Sequence, residues 1–271
     1  MTALVDVRGL TQSFPGPGRS TVEVLAGVDL SVRAGEFAAL IGPSGSGKSS
    51  LFNVIAGLDR PTGGQVLIDG RPALGHNDLV GYLPQKDLLF PWRTVAANAA
   101  LGLEVQGVGK KQARAQVAGL LEEFGLGGFE LAYPAQLSGG MRQRAALLRT
   151  VAMDRPVLLL DEPFGALDSL TRTQMQLWLA GMCDRFGWTV LLVTHDIREA
   201  VFLSDTVHVL SARPATVSAR IEVPFARPRT AATFRLAEFG RLEQAVIEAL
   251  GALGPGDGDG DPGVGGQEGI R

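Results

Sequence analysis

The chain has 271 residues, 45% of them hydrophobic, enough to bury the core of one large α/β domain or two unequal lobes. Its formal net charge is −3 and its lysines and arginines are scattered, which argues against nucleic acid as a partner. A single cysteine, Cys183, excludes an intrachain disulfide and any C-x-x-C metal spacing, and no unbroken apolar run is long enough to cross a membrane.

In chain order, Met1 to Val7 alternates as a strand rather than as a basic and then apolar leader, so a cytoplasmic chain is expected. Further short strands are predicted at Thr21–Leu25, Val28–Val32 and Phe37–Ile41. All of these are expected to be strands of one antiparallel flap leading into a glycine-rich loop, with the turn-rich Phe14-Pro15-Gly16-Pro17-Gly18 between the first two. Phe14, at the edge of that break, is a candidate to stack on a purine or simply to pack. Gly42-Pro43-Ser44-Gly45-Ser46-Gly47-Lys48-Ser49 then spells G-x-x-x-x-G-K-[ST] between an apolar strand and a predicted helix, Ser50 to Ala56. In that context glycines let successive N–H groups face a polyphosphate, Lys48 reaches the β- and γ-phosphates, and the Ser49 hydroxyl ligands Mg²⁺.

Gln65–Ile68 reads as a strand followed by an Asp69-Gly70 hairpin turn. From Leu88 the pattern turns helical, with helices predicted over Trp92–Gly102, Gly109–Phe124 and Arg142–Val151. Ser138 is suited to cap the last of these, and Gly139 and Gly140 bare the backbone N–H groups of a second anion site. Val157 to Leu160 is a continuous apolar run, as a buried parallel strand reads, and it ends in Asp161-Glu162. Asp161 is placed to hold a Mg²⁺ shell and Glu162 to polarise an attacking water. A helix over Leu170–Arg185, a strand over Thr189–Thr194, a helix over Ile197–Leu203 and a strand over Val207–Leu210 follow. His195, after a buried strand and before Asp196, is a candidate to hydrogen-bond a γ-phosphate, although a lone histidine is more often structural or on the surface; His76 and His208 have no such context. Gly254 to Gly269, almost all Gly, Asp and Pro, reads as a disordered tail.

These motifs, in this order, resemble the nucleotide-binding subunits of ATP-binding cassette (ABC) transporters over roughly Leu4 to Ala212. By that resemblance Leu137-Ser138-Gly139-Gly140-Met141 matches the family signature, with Met141 where the family usually has Gln and a Gln at 143. Gln85 of Leu83-Pro84-Gln85 matches the Q-loop, serving both the reaction and the metal. Asp168 matches the D-loop and His195 the switch histidine; Phe14 falls where the family stacks adenine, and Ser50 closes the nucleotide-binding set. The implied fold is an α/β P-loop NTPase core, a mixed and largely parallel sheet with an antiparallel N-terminal flap and an inserted helical subdomain.

The expected organisation is an ATPase domain over residues 1–250, with a nucleotide-binding lobe (1–86 and 154–215), a helical lobe (87–153) and a C-terminal extension (216–250), then a tail over 251–271. The resemblance implies ATP and Mg²⁺, a head-to-tail homodimer, two transmembrane permease subunits and, indirectly, an extracytoplasmic solute-binding protein, with the chain peripheral on the cytoplasmic face of the cell membrane. Asp87 to Trp92 offers apolar residues where the family docks a permease helix, although Phe90 and Trp92 also suit a core. The Phe-Pro-Trp segment and Ser211-Ala212-Arg213-Pro214 resemble importers of nitrate, sulfonates, taurine or thiamine-precursor pyrimidines. A kinase or GTPase would leave Ser138 to Gly140 and His195 without a role, and a soluble cassette ATPase acting on ribosomes or DNA would carry two cassettes or a long coiled coil.

Overall fold

The computed structural model describes residues 3–18, 20–76 and 78–251; the expected tail over Gly254–Gly269 lies outside them. Strand β1 (Ala3–Pro15) pairs antiparallel with β2 (Thr21–Arg33). The two runs Thr21–Leu25 and Val28–Val32 are thus one strand, because register shifts absorb the break in alternation without ending the ladder. Likewise Phe14 and Pro15 belong to β1 rather than to the turn. Next, β3 (Phe37–Ile41) is buried along its whole length and leads through the glycine-rich loop into α1 (Lys48–Ile55). Strand β4 (Gly63–Ile68) returns to β1 and turns through Asp69 and Gly70, both at positive φ, into β5 (Arg71–Pro72).

After β6 (Val80–Leu83) comes a helical stretch: α2 (Val95–Ala99), α3 (Leu101–Val105), α4 (Lys110–Glu123) and α5 (Gly139–Val151). The expected helix over Trp92–Gly102 is split into α2 and α3, with Thr94 accepting from Ala97 N at the start of α2. Then β7 (Val157–Asp161), α6 (Ser169–Phe186), β8 (Thr189–Val193), α7 (Ile197–Leu203) and β9 (Thr206–Leu210) alternate as anticipated. No element was expected from the sequence at β6, nor at β10 (Val217–Glu222) or α8 (Ala237–Gly251).

The strands form two sheets, one antiparallel in the order β2-β1-β4-β5 and one in the order β10-β9-β3-β8-β7-β6, parallel except for its β10 edge. Against the expectation from the sequence, Phe37–Ile41 is therefore not a strand of the antiparallel flap but pairs parallel with β8 and β9, since an unbroken apolar strand needs cover on both faces. Side chains alternate across β3. Ala38 and Leu40 join the cluster of α1 and the antiparallel sheet, whereas Phe37, Ala39 and Ile41 join that of α5, α6, α7 and α8. Parallel strands covered on both faces need continuous apolar runs, which is why β3, β7 and β8 read so plainly in the sequence. At the C-terminus, Phe239 stacks on Phe225 and meets Phe234 edge-on. Beneath them Arg229, 4% exposed, donates to the carbonyls of Phe202 and Ser204 at 2.8 and 2.6 Å, and both Arg227 and Arg229 pair with Asp205. Buried Arg229 and half-buried Arg227 satisfy carbonyls at the end of α7 and fix the extension to the parallel sheet.

His208 on β9 is 2% exposed and neither ring nitrogen has a hydrogen-bond partner. Burial, reinforced by the charge of Arg220, pushes it down from 6.5 to about 4. As pH falls below 6.5 the unfolded chain takes up a proton that the native chain refuses until about pH 4. Stability attributable to this group is therefore intact above 6.5 and lost through that window. His208→Leu removes the titration and no hydrogen bond, so thermal melts should show a flatter acid limb and a higher melting temperature near about pH 5. An acid limb as steep as that of the wild type would contradict this.

Candidate active site

The loop between β3 and α1 is shaped by its glycines. Gly45 and Gly47 have φ of 75° and 103°, and a Cβ on Gly47 would lie 2.6 Å from Val24 Cγ1 of β2. Helix α1 starts at Lys48 rather than at Ser50, which sets Ser49 and Ser50 in its first turn, beside the positive end of the helix dipole. Lys48, 9% exposed, donates from Nζ to the carbonyls of Gly42 and Pro43 at 2.8 and 2.9 Å. One of its three ammonium N–H groups is left for a ligand. Burial lowers its pKa, while the carboxylates of Glu162 and Asp161 oppose that shift. The N–H of Ser46 closes the loop onto the Pro43 carbonyl at 3.2 Å, and its buried hydroxyl has no partner. This cup of backbone N–H groups with a buried ammonium fits a polyphosphate.

Three residues distant in sequence converge on the same cavity of about 660 Å³. Glu162 accepts from Gln85 Nε2 at 3.0 Å, and Nδ1 of His195 lies 3.2 Å from the same Glu162 oxygen. Glu162 has φ of 44°, in the left-handed region, and its N–H is held by the Val193 carbonyl at 2.9 Å. A non-glycine residue there carries about 1–2 kcal/mol of strain, characteristic of a side chain aimed for function. Asp161, at the end of β7, accepts from the Tyr82 hydroxyl at 3.2 Å. Its pKa is raised chiefly by burial and further by the neighbouring Glu162, while Tyr82 and Lys48 counter the shift.

Some expected site residues lie elsewhere. Phe14 is 38% exposed, paired with Val22 where the β1–β2 hairpin ends, and does not line the cavity. Ser138 caps α5, accepting from Met141 N at 3.3 Å, so that this helix starts at Gly139 instead of Arg142. Gly139 faces a second cavity of about 450 Å³, shared with Gln85 and Asp87, so within one chain the signature and the phosphate loop are separate. Gln143 is buried, yet it lines this second cavity together with Gly139. Asp168 caps α6, accepting from Leu170 N and Thr171 N at 3.1 and 3.0 Å. Trp92, 71% exposed, stacks on the half-buried Phe90 with ring centroids 5.1 Å apart.

Sequence reasoning assigned no site role to Tyr82, Glu199 or Arg213. Tyr82 alternates within a short strand and carries no local signal of its contact with Asp161. Glu199 is 3% exposed, accepts from Gln176 Nε2 at 3.2 Å, and shares a narrow cleft with Glu162 and His195. Its burial pushes it up to about 8.

The sequence profile described as ABC transporter matches residues 25–165. The chain is 41% identical over 81% of its length to the nitrate import ATP-binding protein of Synechocystis, of which 82% is covered. It is 43% identical over 82% of its length to the taurine import ATP-binding protein of Pseudomonas entomophila, with 85% covered. Among solved structures, it resembles a dimeric post-hydrolysis state of an ATP-binding cassette bound to ADP and Pi. That likeness has a TM-score of 0.71 at 31% identity and covers 82% of this chain and 100% of the other. The chain belongs to the ABC transporter family, and it is an ATP-hydrolysing cassette of the importer kind.

The glycine geometry gives a direct test. Gly47→Ala forces a Cβ into Val24 and into a strained φ. It should weaken ATP binding at least about tenfold by fluorescent-nucleotide titration while circular dichroism stays native. Unchanged affinity would show that this backbone does not form the nucleotide seat.

Proposed function

We propose that this chain energises import of a small polar solute, of the nitrate, sulfonate, taurine or thiamine-precursor pyrimidine type, from the cytoplasmic face of the cell membrane. The observation that carries the reading is the meeting of Gln85, Glu162 and His195 on one cavity with Lys48, at 3.0 and 3.2 Å around a single carboxylate. That carboxylate is the base for an attacking water, with Gln85 and His195 fixing its orientation. His195 has its second ring nitrogen for the γ-phosphate, and Lys48 neutralises charge on the phosphates. The hydroxyl of Ser49, the Asp161 carboxylate and the Gln85 amide oxygen are hard oxygen donors that would hold Mg²⁺, which would supply neutralisation of phosphate charge. Phe14 supplies the aromatic surface for adenine.

Ser138, Gly139 and Gly140 have no part in their own chain's phosphate cavity. In the proposed homodimer they complete the site of the opposite cassette, and Asp168 lies in the loop between. Two permease subunits dock on the segment around Phe90 and Trp92, and a solute-binding protein outside the membrane delivers the cargo. Loss of the γ-phosphate removes contacts that hold the pair closed, so hydrolysis shifts the population toward open.

Glu162→Gln keeps an oxygen facing Gln85 but abolishes the base. ATP binding should persist, turnover should fall by at least about a hundredfold, and a nucleotide-dependent dimer should accumulate in size-exclusion runs. Turnover at the wild-type rate would remove Glu162 as the base. Stimulation of the wild-type ATPase by added permease subunits is the result expected of a transporter, and its absence would favour a soluble cassette.

A further inference from the structure

Arg213 lies on the loop between β9 and β10 and lines the phosphate cavity. Its Nη2 donates to the carbonyl of Gly45 at 2.8 Å, at the tip of the phosphate loop. The loop that carries it is tightly fixed. Ser211 N donates to the Thr216 carbonyl and Thr216 N to Ser211 Oγ, both at 2.9 Å. Ala215 donates to the Val24 carbonyl and accepts from Ala26 N, again at 2.9 Å in each case. Val24 is the residue that backs Gly47, so one short piece of β2 supports the phosphate loop from behind and the Arg213 loop from the side. Among the described residues Arg213 forms no ion pair, in contrast to Arg227 and Arg229. A guanidinium has five donors, and the Gly45 carbonyl takes one.

We propose that Arg213 is a second cationic contact for the polyphosphate of the bound nucleotide, bridging it to the Gly45 carbonyl. The inference rests on the reading of this loop as the nucleotide site. Lys48 is held by the Gly42 and Pro43 carbonyls and Arg213 by that of Gly45, and both line the cavity, which thus presents two positive charges. An arginine suits the rim because its planar fork holds a carbonyl and a phosphate oxygen together, whereas an ammonium acts as a single point.

The test is the equilibrium affinity for Mg²⁺-ATP and for adenosine in the wild type, R213K, R213Q, R213A and, as a reference for the site itself, K48A. Arg213→Gln retains a donor for Gly45 but no charge, so it separates a phosphate contact from a loop brace. The expected result is a loss of about five- to tenfold in Mg²⁺-ATP affinity for R213Q and R213A, a smaller loss for R213K, and unchanged adenosine affinity. Wild-type affinity in R213Q, or equal losses for ATP and adenosine, would overturn the Arg213 contact while K48A still loses ATP. If K48A binds ATP as the wild type does, the nucleotide seat is elsewhere and both readings fall.

Discussion

Everything in this molecule depends on the turn that β3 makes after Ile41. A fully buried strand has to end, reverse its hydrogen-bonding pattern and start a helix within six residues, Gly42 to Gly47. Only a backbone with residues at positive φ does this while its N–H groups face a common centre. The buried strand fixes one end and α1 fixes the other. The Val24 side chain bars any Cβ at Gly47, so the cup has one shape. Lys48 is held by two loop carbonyls and needs no remote partner to stay in place.

Around that seat the parallel sheet delivers chemistry at the carboxyl ends of its strands, where an open α/β sheet binds ligands. Leu83 of β6 is followed by Gln85, Asp161 closes β7, and Val193 of β8 is followed by His195. β9 ends at Leu210 and is followed by Arg213. Glu162 is where local stability is given up for geometry. Its left-handed backbone is held by Val193 of the adjacent strand, and its side chain meets Gln85 and His195. Because Gln85 also lies on the cavity of Gly139, one side chain touches both the phosphate site and the signature face.

Much of this was legible in the sequence for a physical reason. A phosphate loop needs its glycines at fixed offsets, and buried parallel strands need unbroken apolar runs, so Val157–Leu160 and Thr189–Thr194 declared themselves; Phe37–Ile41 was legible as a strand but not as a member of the parallel sheet, because its partners β8 and β9 lie far along the chain. The Ser138 cap was legible too, because a hydroxyl before bare glycines has a local partner in the Met141 N–H. Contacts that depend on tertiary approach were not. Tyr82 meets Asp161 across 79 positions and Arg213 meets Gly45 across 168. The α8 extension is anchored by the buried Arg229, a residue type that composition alone assigns to the surface. The split between α2 and α3 and the single long β2 were misread because short-range alternation locates apolar faces better than breaks.

In the proposed head-to-tail homodimer a working site takes its phosphate loop from one chain and its signature from the other. Lys48→Ala damages the first and Ser138→Arg blocks the second with bulk and charge. Each variant alone should fail in single-turnover hydrolysis, because both sites of its homodimer carry the defect. In a mixed dimer the two defects fall on one site and leave the other whole, so mixing should restore hydrolysis. Heterodimers that form yet stay inert, or either variant hydrolysing normally by itself, would contradict the account.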